Sequence, residues 1–537
     1  MERDRSLYRR ACRDCVRITW PAILSLVLVS VLNICVYSNL SVEIGEFCTA
    51  VLETDGQSIW RKGIVIVLAI LCYAVIVPAV NLLQDYLSLR FLSAHDSYIY
   101  GLFMDKQYDE AKVLNEGEVR HRMENDVIIF RRSLIGLAAN SIAFPLMFVF
   151  VLYQMAEISL AYGIGVCILS FLKLIIPSIT GRALAAYEVR DAEYGARAAS
   201  ILMEMVKNPC AVKLLSLKES LTEYSDKLFQ NHFHKHLKKK IRCQAIAGEL
   251  TSLLEIWITL MAVLLGLFFV SRDEVAVGAI ASMVMLVSVM HSVMEKLEEA
   301  IRNGSKVRSF GERILYFYVG REEGQGEEIG SFQCLEARHL SFGYPVGEGK
   351  EEEVFRDLNF CINKGDKVAV LGENGSGKTT LIELISLFHY GYGGHLLVNG
   401  HEITQLNPDK WRKHLSVAFQ MPLLFEGSVK ENIALGNGDR LEEKAEYAMG
   451  AAGIRQLSPR QISGLQEKLS GGELQRISIA RAAAKEAEIL ILDEPTNHLD
   501  QESLTWLKRM IHTAEQTVIV ITHDVRMLEG MEQVIRI

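Results

Sequence analysis

Lys367-Val-Ala-Val-Leu-Gly-Glu-Asn-Gly-Ser-Gly-Lys-Thr379 is the stretch whose reading decides the fold. Its first five residues have the length and apolar character of a buried strand. Glycines then permit a tight loop, and Thr380-Leu-Ile-Glu-Leu-Ile-Ser386 opens a helical pattern. Strand, glycine loop and helix in that order are the context that a phosphate-binding loop requires. Gly372, Glu373, Asn374, Gly375, Ser376 and Gly377 can turn backbone N–H groups towards phosphate oxygens, and the N-terminus of the helix adds its dipole. Lys378 is placed to neutralise the β- and γ-phosphates, Thr379 offers a hydroxyl to Mg²⁺, and Thr380 completes the set expected around ATP.

Downstream, residues 489–492 (Ile-Leu-Ile-Leu) read as a strand buried on both faces, ending in Asp493 and Glu494. A carboxylate at such a strand end holds Mg²⁺ directly or through water, and the next one is placed to orient or deprotonate an attacking water. A plain helix N-cap is the structural alternative for Glu494. Beside Asp493 and a phosphate loop, catalysis is the expected role.

Upstream, the sequence changes character. The chain has 537 residues, 50% of them hydrophobic against 23% charged, and the apolar excess lies before about residue 300. Six stretches reach the roughly twenty apolar residues needed to cross a bilayer: about 18–37, 63–83, 134–154, 158–180, 250–270 and 275–294. Arg3, Arg5, Arg9, Arg10, Arg13 and Arg17 crowd the N-terminus, and residues 84–132 and 181–249 are rich in Lys and Arg. The first opposite connection carries Glu43, Glu46, Glu53 and Asp55, with Arg61 and Lys62 only at its far edge. The excess of basic residues puts the N-terminus, both long loops and the C-terminal region on the cytoplasmic side. Both long loops show apolar residues three and four apart among charges, as if the spanning helices continue into the cytoplasm.

Within the spans, Pro78, Pro145 and Pro177 are expected to kink their helices. Polar residues there are functional candidates by default. For Lys173 the expectation is that it snorkels to the interface rather than touching a substrate. Glu255, Asn33 and His291 are the other candidates. His232, His234 and His236 read as a solvated face, and Cys12-Arg-Asp-Cys15 precedes a span rather than sitting in a redox fold. The ten cysteines are scattered with no disulfide framework, and a net charge of −8 gives no reason to expect a nucleic-acid partner.

The C-terminal part, residues 332–537, resembles the nucleotide-binding domain of ATP-binding cassette (ABC) proteins. Leu469-Ser-Gly-Gly-Glu473, continuing Leu-Gln-Arg-Ile-Ser-Ile-Ala-Arg481, matches the signature of that family. The resemblance implies that Tyr344, in Phe-Gly-Tyr-Pro345, stacks on adenine and that Gln420 touches Mg²⁺ and the attacking water. It implies likewise that His523, in Ile-Thr-His-Asp524, contacts the γ-phosphate. Asp500 lies in the loop reaching across a dimer, and Ser470, Gly471 and Gly472 face ATP held by a partner chain. Glu494, His523 and Gln420 are then the catalytic set, and Thr379, Gln420 and Asp493 the Mg²⁺ ligands.

Six spans and one such domain are similar to an exporter-type half-transporter. The architecture expected is an all-α six-helix transmembrane domain with long cytoplasmic helical extensions (1–315), a linker (316–331) and an α/β P-loop ATPase domain (332–537). Residues 117–126 resemble the first coupling helix of that class and 206–217 occupy the place of the second. The implied protein is a multi-pass protein of a bacterial inner or plasma membrane, among lipids. It pairs with a second half-transporter, identical or different, and exports an unspecified substrate with ATP and Mg²⁺. An importer or lipid flippase on the same fold, and a membrane-anchored regulatory ATPase without transport, stay open as alternatives.

Departures from the pattern are few. Asn497-His-Leu-Asp500 stands where exporters usually carry Ser-Ala-Leu-Asp, the stretch before the signature is short, and its usual acidic pattern is absent. The sequence stops at Ile537, soon after His523 and short of the family's usual terminal hairpin and helices, as in a minimal protein or a truncated form, and leader cleavage by an N-terminal peptidase is not expected.

Overall fold

The computed structural model describes residues 2–52, 56–111, 114–320, 326–345, 351–373, 375–435, 441–462 and 469–537. They form two compact units: residues 1–105 with 112–320, and residues 106–111 with 321–537.

The first unit is helical throughout. It contains α1 (Glu2–Leu52), α2 (Gly56–Met104), α4 (Glu116–His121), α5 (Val127–Ile158), α6 (Leu160–Phe171), α7 (Ile175–Lys207), α8 (Pro209–Leu214), α9 (Lys218–His232), α10 (Lys238–Val270) and α11 (Val277–Tyr318). The short α3 (Tyr108–Ala111) belongs to the second unit. Six helical stretches are long and apolar enough to cross a membrane. Most far exceed the roughly twenty residues that hydrocarbon requires, so the helical periodicity of the basic loops is realised as continuation of the same helices. None of the most apolar window of α2 is buried in the chain, as expected for a surface facing lipid.

The expected fourth span, 158–180, is not one helix. Ser159 adopts an extended backbone and caps α6, so α5 ends at Ile158 and the chain turns there. A tighter turn at Leu172–Leu174 then separates α6 from α7. Pro177 explains it: proline has no N–H to give the carbonyl four residues earlier, that of Lys173, and its ring crowds that carbonyl. Pro78 and Pro145 lie inside continuous helices.

Lys173 does not snorkel. It is 1% exposed, ion-paired with Glu255, and 3.6 Å from a carboxylate oxygen of Glu295. Asp126, fully buried, is likewise held by Arg313 Nε at 2.6 Å. Apolar packing of α1, α5, α6, α10 and α11 through Val27, Met147, Val151, Tyr162, Ile258 and Met290 fills the core between such pairs.

The second unit is α/β. Two long antiparallel strands, β1 (Cys334–Pro345) and β2 (Glu351–Asn363), lead to β3 (Lys367–Leu371), α12 (Lys378–Ile385), β4 (Gly393–Val398), β5 (His401–Glu402), α13 (Pro408–Trp411) and β6 (Leu415–Ala418). There follow β7 (Gly427–Ser428), α14 (Val429–Ala434), α15 (Leu441–Ala451), β8 (Gln461–Ile462), α16 (Gly471–Ala484), β9 (Ile489–Asp493), α17 (Gln501–Thr513), β10 (Thr517–Thr522) and β11 (Gln533–Arg536). The antiparallel sheet runs β2-β1-β4-β5 and the larger sheet β11-β3-β10-β9-β6.

All pairings of the larger sheet are parallel. Parallel strands need cover on both faces, which is why β9 and β10 are buried at every position and read as unbroken aliphatic runs. Their register brings the carboxyl ends together: Leu371 opposite Thr522, Asp493 opposite Ile521, Leu492 opposite Ala418. Residues just beyond those ends share one edge, where α/β sheets bind ligands.

Candidate functional site

At that edge lies a cavity of about 500 Å³ lined by Tyr344, Val354, Gly377, Lys378, Thr379 and Thr380 together with Glu352, Glu353, Gly375, Gln420, Asp493 and Glu494. The sheet register supplies Lys378 and Thr379 after β3, Gln420 after β6 and Asp493 with Glu494 at the end of β9. Gly375 and Gly377 take φ of +87° and +92°, a conformation that L side chains rarely adopt. A Cβ on Gly377 would also lie 2.3 Å from Val354 Cγ1, so the glycine is required for space as well. Asn374 lies outside the described residues.

The Lys378 ammonium donates to the carbonyl oxygens of Gly372 at 2.8 Å and Glu373 at 2.7 Å, curling over the loop mouth. Asp493 is 1% exposed, and its Oδ1 has no hydrogen-bond partner among the described residues. Burial and the neighbouring charge of Glu494 push its carboxyl up to about 6, against the pull of the Gln420 backbone, Lys378 and the Thr379 hydroxyl. A hydroxyl, an amide and a buried carboxylate short of a partner form a hard oxygen donor set, which suits a small divalent cation.

Glu494 is 5% exposed with φ +46°, in the left-handed region. His523, placed next to it by the β9–β10 register, holds its Oε2 at 2.8 Å through Nδ1. A carboxylate only accepts, so Nδ1 carries the proton. This pairing was not apparent in the sequence, where the two residues are 29 positions apart.

The signature residues stand elsewhere. Ser470 caps α16, accepting from Glu473 N at 3.2 Å while Glu473 reaches back to Ser470 N at 2.7 Å, a reciprocal capping box. The Ser470 backbone N–H, first of several causes, lowers the Glu473 carboxyl. Gly472 has no room for a side chain, since a Cβ would lie 2.7 Å from the His498 carbonyl oxygen. Asp500, in the loop that the family resemblance carries across a dimer, accepts from Ser503 N at 2.8 Å and caps α17. Ser470, Gly471, Gly472, Asp500 and His523 are absent from the cavity lining, as are Gly372, Glu373 and Ser376 of the loop itself.

Sequence reasoning missed Glu383 and His389. The Tyr344 hydroxyl donates to Glu383 Oε2 at 3.1 Å and lies 3.1 Å from Thr380 Oγ1. His389 contacts Glu383 through Nε2 at 3.0 Å and Asp109 through Nδ1 at 2.7 Å, and Tyr108 stacks on Phe388 with ring centroids 4.8 Å apart. Residues 106–111 thus belong to this unit, whereas 117–126, the stretch that resembles a first coupling helix, form α4 and the wider turn Arg122–Asp126 that leads to α5 in the other. A lone His and Glu six residues apart carry no local signal of this arrangement.

With both ring nitrogens on carboxylates, the protonated form of His389 is the one this geometry favours. Burial would push it down, but the bonds to Glu383 and Asp109 outweigh burial and raise it. A raised value in the folded chain means that the stabilisation is full below the ordinary pKa of 6.5 and is lost as pH rises through the folded value. His389→Gln is expected to raise hydrogen exchange at 106–111 roughly tenfold at pH 6, from about 1.5 kcal/mol of charge-assisted bonding. The wild type should approach the variant at pH 9. An equal difference at both pH values would show that the imidazolium does not hold this segment.

A phosphate loop, a carboxylate pair at the next strand end and a signature helix define a P-loop ATPase domain, carried in a chain with six membrane-length helices. A family profile described as ABC transporter matches residues 355–497, and one described as ABC transporter transmembrane region matches residues 23–294. The chain belongs to the ABC transporter family and is an integral membrane protein.

Among curated relatives, the Beta-(1-->2)glucan export ATP-binding/permease protein NdvA of Rhizobium johnstonii is 30% identical over 308 residues, 54% of this chain and 51% of that protein. The ATP-dependent lipid A-core flippase of Pseudomonas aeruginosa is 29% identical over 326 residues, 58% of this chain and 54% of that protein. The matches thus span about half the length of these relatives. A solved structure described as a bacterial Atm1-family ABC exporter with ATP bound superposes with a TM-score of 0.80 at 18% identity. It covers 97% of this chain and 94% of that one, a likeness of fold.

Proposed function

We propose that this chain is one half of an ATP-driven exporter, with a membrane domain at 1–315, a linker at 316–331 and an ATPase domain at 332–537. The observation that carries the reading is the cavity at the parallel-sheet edge, where Lys378, Thr379, Gln420, Asp493 and Glu494 meet. Tyr344 offers adenine a ring on its rim. Lys378 leaves the two loop carbonyls to neutralise phosphate oxygens, and the backbone of 372–377 receives the rest of the phosphate charge. Thr379, Gln420 and Asp493 would hold Mg²⁺, which when bound withdraws charge from the β- and γ-phosphates. Glu494 takes a proton from the attacking water, and His523 keeps that carboxylate oriented while remaining exposed enough to meet the γ-phosphate.

Ser470 and Gly472 do not line the cavity of their own chain, which supports a site completed by the signature of a second copy or of a related half. ATP then binds between two domains and draws them together, and hydrolysis releases them. The test uses inverted membrane vesicles supplied with ATP and a cell extract. Export predicts a compound that accumulates in the lumen with the wild-type chain and not with Glu494→Gln. Depletion from the lumen would indicate import. ATP turnover without any flux would favour the regulatory ATPase.

A further inference from the structure

Where α7, α10 and α11 meet at the cytoplasmic ends of the last three spans, the first unit forms a second, open-mouthed cavity of about 630 Å³. Its lining mixes Thr180, Thr251 and Ser252 with an uneven set of charges: four carboxylates (Glu255, Glu295, Glu298, Glu299) against three cations (Lys173, Lys296, Arg302). Glu295, Glu298, Glu299 and Arg302 fall at i, i+3, i+4 and i+7 of α11 and so share one face.

The cations are engaged. Lys173 is buried against Glu255 with Glu295 3.6 Å away, Lys296 lies 3.9 Å from Glu299, and Arg302 Nη1 lies 3.5 Å from Glu298 Oε2. Glu299 Oε2 also accepts from Asn140 at 3.0 Å. By hydrogen bonding alone the buried Lys173 Nζ is as unsatisfied as one Glu298 oxygen, so the open negative charge is the carboxylate that the lining carries in excess of its cations. Glu298 is 5% exposed, yet its Oε1 is buried with no hydrogen-bond partner among the described residues, and Glu295 meets Lys173 only at the longer distance. A buried carboxylate oxygen with an incomplete shell is costly, and a cation brought by a ligand relieves that cost.

We propose that this cavity recognises a polar substrate through a cationic amine or guanidinium group, with Glu298 and Glu295 as its acceptors. Lys173 and Glu255 form the structural pair that holds the Leu172–Leu174 turn to α10 beside it. The assignment rests on the transport reading above and adds the substrate class. It places the selective charges on α11, where a bound amine bridges residues one helical turn apart.

Equilibrium binding separates the two readings. The full chain in nanodiscs, without ATP, is titrated with radiolabelled spermidine as the probe, with tetraethylene glycol as the neutral competitor and citrate as the anionic one. The expected result is saturable binding that neither competitor displaces, weakened at least tenfold by Glu298→Gln and by Glu295→Gln and largely retained in Glu298→Asp. Glu298→Gln is isosteric, and its folding is checked by an unchanged Tm. Binding that is absent, equal in Glu298→Gln or displaced by tetraethylene glycol overturns the assignment. Binding as expected without ATP-dependent uptake of spermidine into inverted vesicles leaves the site standing and counts against spermidine transport. Uptake of other compounds with no amine binding sinks the site while sparing the pump.

Discussion

Glu494→Gln is expected to lower ATP turnover by about a thousandfold, the scale of a lost general base, while nucleotide affinity stays near wild type. Glutamine keeps the size of the side chain and an oxygen for His523, so the left-handed turn and the cavity survive. What it loses is the basic carboxylate 2.8 Å from His523 Nδ1. Because binding persists, the variant should accumulate ATP-bound dimers that the wild type hydrolyses away. Size-exclusion chromatography of the isolated variant with MgATP, beside a steady-state assay, reads both. Retained turnover would remove Glu494 from the chemistry and return it to a capping role. His523→Ala should fall less far, since it acts partly by orienting Glu494.

Lys378→Met is the second large effect, and its sharper form is a mixing experiment. Removing a buried, hydrogen-bonded charge from the phosphate site is expected to weaken ATP binding by about 3 kcal/mol, roughly a hundredfold. Ser470→Arg should leave the phosphate loop intact but block the face offered to a partner. Each variant alone has no working site. A mixed dimer, however, joins the wild-type loop of the Ser470→Arg chain to the wild-type signature of the Lys378→Met chain. One site of two is restored, so mixing equal amounts should recover about a quarter of wild-type turnover, by random pairing and independent sites. If each chain carried its whole site, mixing would recover nothing.

The residues legible in the sequence share a property. Lys378, Thr379, Asp493 and Glu494 each follow an aliphatic run, and a parallel strand buried on both faces must be such a run. Strand ends, and the groups just beyond them, are therefore marked by local pattern. Ser470 was legible through the family signature Leu469–Glu473 alone, and its capping box with Glu473 came from the structure. The partners were not. Glu383 reaches Tyr344 only because β1 and the phosphate-loop helix come together in three dimensions, and His389 reaches Asp109 across 280 positions of chain. The 462–468 stretch before the signature, the main departure from the family pattern, falls largely outside the described residues.

Lys173 marks the same boundary in the membrane domain. Its place in an apolar run was plain, and snorkelling was the reasonable expectation for a long amine near a span's end. The proline-induced turn at Leu172–Leu174 and the opposing Glu255 instead keep it inside, 1% exposed. Sequence alone determined the order of spans and ATPase domain, their sidedness and the phosphate loop, because hydropathy, charge asymmetry and strand–loop–helix order are properties of neighbouring residues. Tertiary structure decided which carboxylates are left open, which histidine steadies Glu494 and where Asp500 spends its oxygen. Those depend on pairings between distant segments, and the free energy of a charge is set by the partners that folding gives it.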